Sequence, residues 1–163
     1  MSWTYKNIEL LDEMIPPKAQ GFIYILTYVP TGQKYIGRKL LTKAHRRQKD
    51  KKIIRSRIES DWKTYWSSSP EILSIIASEG TDNFIREVLV FADTKGQLNY
   101  LEECLQYTLG VLESDKWLNS NIRSKSYKRN ILDKDSIKDM RSFINEHITS
   151  TGTNSLYIFN KTN

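Results

Sequence analysis

The sequence predicts an α+β fold: three strands, with helices between and after them. Three observations carry this. The apolar run FIYILTYV, Phe22 to Val29, is short and rich in β-branched and aromatic residues, and reads as a buried strand. The turn signal Pro30-Thr31-Gly32 separates it from QKYIG, residues 33–37, so the two form an antiparallel hairpin. NFIREVLVFA, residues 83–92, reads as a third strand between two segments of helical period.

Residues 1–20 read as an irregular arm ending in Pro16-Pro17, and residues 21–122 as the main domain. Residues 38–52 alternate bases and polar residues without period, which predicts a loop or loosely formed helix inserted after the hairpin. From Ile53 the pattern turns helical, with Ile54, Ile58, Trp62 and Tyr65 on one face. Ser69 is placed to cap a second helix, with Pro70 at its first position and Gly80 closing it. Thr94 and Gln97 have capping-box spacing, predicting a long helix to about Leu112. Trp117 to Ile122 is extended or looped. Residues 123–163 form a tail with one amphipathic helix, capped near Asp135 and carrying Ile137, Met140, Ile144 and Ile148 on one side.

The length, 163 residues, suits one domain, and 18 aromatic residues can close a core, which excludes wholesale disorder. The longest apolar run is far short of the ~18 residues of a membrane span. The early acids in MSWTYKNIELLDE do not resemble a secretion signal, so a soluble, cytoplasmic protein is expected. One cysteine, Cys104, cannot build a disulfide framework or a cysteine zinc site; it lies off the leucine stripe described below and is expected to be a partly buried spectator. His45 and His147 lack ligand-like spacing and read as surface residues.

The net charge of +6 is unevenly spread. From Arg38 to Lys63 there are 11 bases and three acids, which leaves the other 137 residues at −2. A basic strip of this density attracts a polyanion with salt-sensitive affinity. Its candidate contacts, with the neighbouring Lys34, are Lys39, Arg46, Arg47, Lys49, Lys51, Lys52, Arg55 and Lys63.

The long helix carries an anomaly. At 100° per residue, Leu101, Leu105, Leu109 and Leu112 fall within about 60° of Leu98. Glu102 falls at about 40°, inside the stripe, and Glu103 at about 140°, outside it. A carboxylate facing the sheet calls for a cation, a donor set or a metal as partner; helix geometry alone equally allows Glu102 to sit at the edge of the stripe and reach solvent.

Gly21-Phe22-Ile23-Tyr24 followed by Tyr35-Ile36-Gly37 resembles the paired signature of the GIY-YIG nucleases. YWSSSPEILSIIASEGTDNFIREVL is similar to the corresponding stretch of the phage Seg-type homing endonucleases, and an inward glutamate and Asn119 follow in the family's order. The resemblance covers residues 20–122. It implies a small domain whose three-stranded antiparallel sheet is flanked by helices, and a metal-dependent endonuclease acting on double-stranded DNA. It further implies that Glu102 holds a divalent cation such as Mg²⁺, that one of the two tyrosines orients or deprotonates the attacking water, and that Asn119 is a donor that positions either substrate or the groups around it; Tyr24 is favoured as the base and Tyr35 as a phosphate or water ligand. The family's arginine position is occupied by His45, so Arg38, Arg46, Arg47, Arg55 and Arg57 remain candidates to clamp the phosphate; Arg57 or Arg55, on the helix expected from Ile53, is favoured. A non-catalytic nucleic-acid binder on the same fold is the alternative, and a structural protein whose strip binds an acidic partner is a third.

Overall fold

In a computed structural model the described residues are 2–49, 52–123, 126–127 and 142. The chain opens with two short strands, β1 (Thr4–Tyr5) and β2 (Ile8–Glu9), turned by Lys6 and Asn7 at positive φ. The hairpin follows as β3 (Gly21–Tyr28) and β4 (Gln33–Leu40), then a second hairpin, β5 (Thr42–Lys49) and β6 (Lys52–Glu59). Helix α1 (Pro70–Glu79), strand β7 (Phe84–Ala92) and helix α2 (Lys95–Thr108) complete the main body. Strands β8 (Asn121–Ile122) and β9 (Ser126–Tyr127) form a small separate pair.

The sheet has five strands in the order β2-β1-β7-β3-β4. The three expected strands are its middle and one edge, with β3 antiparallel to both β4 and β7. The residues read as an irregular arm supply the rest: β1 pairs parallel with β7, and β2 antiparallel with β1. Strand alternation then sorts the core. Phe22, Tyr24, Leu26 and Tyr28 join Ile72 of α1 and Trp3 of the arm on one face. Ile23 and Ile36 join Leu98, Leu101 and Leu105 of α2 on the other. The β3–β7 register slips opposite the first motif tyrosine: Ile23 pairs with Val90 and Tyr24 with Val88, so the extra residue, Leu89, lies on β7.

The segment expected to be a loop and then a helix is a two-stranded antiparallel ribbon, paired with no other strand among the described residues. Ile54 and Ile58 fit a period of two as well as a period of four, and pairing with residues 42–49 decides between them. Arg57 and Arg55 therefore stand on β6 and not on a helix. The ribbon leaves the sheet at Leu41 and returns at Ser60, where Ser60 N–H donates to the Leu41 carbonyl at 2.9 Å and Ser60 Oγ–H to the Leu40 carbonyl at 2.5 Å.

Other boundaries differ in smaller ways. Ser69 sits at the N-cap of α1 without a side-chain capping bond; Ser67 Oγ accepts from Ser69 N–H at 3.0 Å instead. Thr94 and Gln97 do form a reciprocal capping box. Helix α2 ends at Thr108, so Leu109 falls at the C-cap and is exposed, while Leu112 packs with Val111 and Ile122. Cys104 is exposed, not partly buried. The expected tail helix, with Asp135 to Ile148, lies outside the described residues.

The segment between the ribbon and α1 is irregular, yet it is held firmly by Arg86 of β7. This guanidinium is buried between Trp3 and Trp66, at 4.8 and 4.4 Å from their rings. It donates to the Tyr65 carbonyl at 2.8 Å and the Lys63 carbonyl at 3.1 Å. Trp3 closes the arrangement by donating its indole N–H to the Trp62 carbonyl at 2.7 Å. Arg86→Leu should therefore cost about 3 kcal/mol or more in a urea titration, because a buried guanidinium loses its packing between two indoles and two charge-assisted bonds to backbone carbonyls. A cost under about 1 kcal/mol would show that the segment holds itself.

Candidate active site

A cleft of ≈ 530 Å³ opens around the outer edge of β4, and its walls come from both faces of the sheet. Tyr35, Gly37 and Lys39 point to one face, and Ile36, Arg38 and Leu40 to the other. The edge itself is half covered. Lys34 exchanges backbone bonds with residues 116–118, N–H to the Lys116 carbonyl at 2.9 Å and carbonyl to Leu118 N–H at 2.7 Å. Asn119, 2% exposed, grips Ile36 at both ends: its Oδ1 accepts from Ile36 N–H at 3.0 Å and its Nδ2 donates to the Ile36 carbonyl at 2.9 Å. The cleft begins where this cover stops.

Tyr24, Tyr35, Arg38, Lys39 and Glu102 all line it. The rings of Tyr24 and Tyr35 lie 6.2 Å apart, and Tyr65 stands edge-on to Tyr24, also at 6.2 Å. Burial pushes the Tyr24 phenol well above its ordinary value, with the neighbouring phenols adding to the rise and Ser67 opposing it. Tyr35, half-buried, is also raised, first by burial and then by other groups, including the nearby Glu102 charge; Ser67 again opposes it. Arg38 Nε lies 2.6 Å from Glu102 Oε2, and Arg38 also donates to the Asn99 side chain. Lys39 Nζ sits 3.5 Å above the Tyr65 ring and 2.8 Å from Asp61.

The remaining candidates fall elsewhere. Lys34 is exposed on the covered part of β4, away from the cleft lining. Lys63 is exposed and pairs with Asp12 at 2.6 Å and Glu59 at 3.4 Å. Arg46 and Arg57 are exposed on the ribbon, and Arg57 Nε donates to Thr42 Oγ1 at 2.8 Å, beside the cleft rim. Arg47 and Lys49 lie on β5, Lys52 and Arg55 on β6, and Lys51 and His147 lie outside the described residues. His45 is exposed. Glu103, off the stripe, is not simply solvated; its Oε1 lies 2.5 Å from Arg123 Nη1. Sequence reasoning missed Tyr65, Gln106 and Ser67, although Tyr65 and Ser67 lie within the YWSSS segment that carried the resemblance.

Gly37 shows how tightly the motif is packed. A Cβ there would stand 2.6 Å from Tyr24 Oη and 2.8 Å from Tyr35 Cε1. Gly21 is constrained in the same way, with the Lys39 carbonyl oxygen 2.5 Å from its would-be Cβ. Gly37→Ala should cost about 1–3 kcal/mol by denaturation and displace both phenols, because the added methyl would overlap both rings.

Glu102 supplies a second test. Burial raises its carboxyl, while Arg38 pulls it down without cancelling the rise. The folded chain therefore binds this proton more tightly than the unfolded chain. The associated stability is present below the unfolded value of about 4.5 and is lost as pH rises through the folded value. At pH 7 the ionised carboxylate is a net cost, so Glu102→Gln should unfold at an equal or higher urea midpoint than wild type, with the difference gone at pH 4. A clear loss of stability at pH 7 would mean that the Arg38 pair outweighs burial.

Comparison with known proteins places the chain in a family. Residues 3–122 match the family described as "Putative endonuclease segE, GIY-YIG domain". No curated protein and no solved structure matches the chain. No described helix is long and apolar enough to cross a membrane. With 120 consecutive residues matched, from the buried Trp3 to the end of β8, the chain belongs to the SegE-type GIY-YIG domain family.

Proposed function

We propose that the protein is a metal-dependent endonuclease of the phage homing type that hydrolyses phosphodiester bonds in double-stranded DNA, working in the host cytoplasm. One observation carries the reading: two phenols, an arginine and a half-buried carboxylate converge in a single cleft at the root of a basic ribbon.

The donor set fits Mg²⁺. Among the described residues no group of three or more His, Cys, Asp or Glu side chains could cage a metal; the cleft is lined by two carboxylates, Asp61 and Glu102, and Asp61 is already paired with Lys39. An ion that keeps most of its waters and shares phosphate oxygens suits such a site. Glu102 would hold it, and the ion would supply positive charge to the phosphate as the leaving oxygen departs.

The chain's own groups do the rest. Arg38, already in the cleft, is the phosphate clamp the geometry favours over Arg57 or Arg55, since its planar fork can turn from Glu102 to a phosphate. Lys39 adds charge on the opposite wall. The two tyrosines change roles relative to the sequence-based expectation. Burial is the main cause of the rise at Tyr24, and no cation at Glu102 would relieve it. Tyr35 is more exposed, and part of its rise comes from the Glu102 charge, which a bound cation would neutralise. Tyr35 is therefore the proton acceptor, and Tyr24 orients the water as a neutral phenol. Asn119 acts through β4, by fixing the strand that carries Tyr35 and Arg38.

The decisive experiment is cleavage of plasmid DNA with and without Mg²⁺. Glu102→Gln should lower the rate on the order of 10²-fold or more while binding survives. Binding without cleavage in the wild type would favour the non-catalytic alternative. The rate should rise with pH to at least pH 9, because the acceptor is a raised phenol, and Tyr35→Phe should flatten this profile. A Tyr24→Phe variant with the flat profile would restore Tyr24 as the base. Neutralising Arg46, Arg47, Lys49, Lys51 and Lys52 together should flatten the salt dependence of binding, each lost phosphate contact lowering the slope by about 0.9.

A further inference from the structure

Gln106 lies one helical turn beyond Glu102 on α2, so the two side chains leave the helix on the same face, and both line the cleft. It is 4% exposed. Its amide has a fixed orientation: Nε2 donates to the Ile36 carbonyl at 3.1 Å, and the flipped amide would set two oxygens against each other. The remaining atom, Oε1, is buried and has no hydrogen-bond partner among the described residues. A buried acceptor left in this state costs about 1–3 kcal/mol.

Nothing in the packing requires an amide here. The Ile36 carbonyl already accepts from Asn119 Nδ2 at 2.9 Å, so β4 does not depend on Gln106 for a donor. A methionine would fill the same space without a polar atom to satisfy. An unpartnered acceptor in the lining of the same cleft as a carboxylate one turn away is explained by a ligand that brings protons.

We propose that Gln106 Oε1 is the second protein oxygen of the cation site, accepting a hydrogen bond from a water in the shell of the divalent ion held by Glu102. This rests on the reading of the cleft as a metal-dependent nuclease site. Glu102 and Gln106 stand at i and i+4 on α2, where Cβ atoms lie ~5–6 Å apart, so both can serve one ligand in the cleft they line. A neutral acceptor also suits the place, since a second carboxylate would add an anion beside one whose charge burial already disfavours. Gln106 is then a positioning residue, fixing where along the cleft the ion sits.

The test is a Mn²⁺ titration of the full-length protein followed by electron paramagnetic resonance, with urea midpoints measured in parallel. Gln106→Met should weaken Mn²⁺ binding about 10–100-fold, the range typical of groups that orient a metal's ligands, at an unchanged or higher urea midpoint. Gln106→Glu, which keeps an acceptor oxygen, should bind more tightly than the methionine variant. Glu102→Gln should abolish binding. If both Gln106 variants bind like wild type while Glu102→Gln does not, the nuclease site stands and the role of Gln106 is refuted. If the wild type itself binds no Mn²⁺, with or without duplex DNA, the metal site fails and this inference with it.

Discussion

The site depends on a buried cation far from any chemistry. Arg86 crosses from β7 to the irregular segment ahead of α1, and its two bonds to backbone carbonyls replace the secondary structure that segment lacks. A position between the rings of Trp3 and Trp66 with two carbonyls to reach suits a planar, forked guanidinium better than a lysine. The arm, the sheet and the segment carrying Tyr65 and Ser67 meet at this one side chain. Tyr65 reaches Tyr24, and Lys39 reaches Tyr65, only because that segment is pinned.

A second constraint acts on β4. An edge strand presents unpaired backbone groups on its outer side, and residues 116–119 cover them only as far as Ile36. Past that point both faces of the half-buried strand, through Arg38 and Lys39, border the cleft. Groups that would be separated by a buried sheet, the phenols on one side and the Arg38–Glu102 pair on the other, can therefore serve a single cleft. The cover and the opening are two consequences of where one extended segment ends.

How much of this was legible in the sequence depends on how local each signal was. The β3–β4 hairpin was readable because its turn and its apolar runs lie within twenty residues of each other. The start of α2 was readable because its capping box is written in four. The inward phase of Glu102 followed from helix geometry once Leu98, Leu101 and Leu105 defined a stripe. The ribbon was misread because Ile54, Ile58, Trp62 and Tyr65 satisfy a helical spacing by coincidence, and only pairing with residues 42–49 shows the period to be two. The arm's strands are two residues each, too short to carry a pattern, and owe their conformation to β7. Arg86 looked like an ordinary outward charge in a strand; the partners that bury it are 20 to 83 residues away in the chain. Gln106 gave no signal, because nothing local marks a glutamine whose oxygen is left without a partner.

The ribbon's register carries a further physical consequence. Arg46 stands opposite Arg55, and Lys49 opposite Lys52, so two of its eight rungs set like charges against each other. Such rungs oppose strand pairing. Dissolved salt screens that repulsion over roughly 10 Å at 0.1 M, and so favours the ribbon standing alone. The same salt weakens any hold the ribbon has on a polyanion. Ionic strength thus acts with opposite signs on the ribbon's internal pairing and on its attraction to a ligand, and a row of phosphates laid along it would take over the screening that the ions otherwise provide.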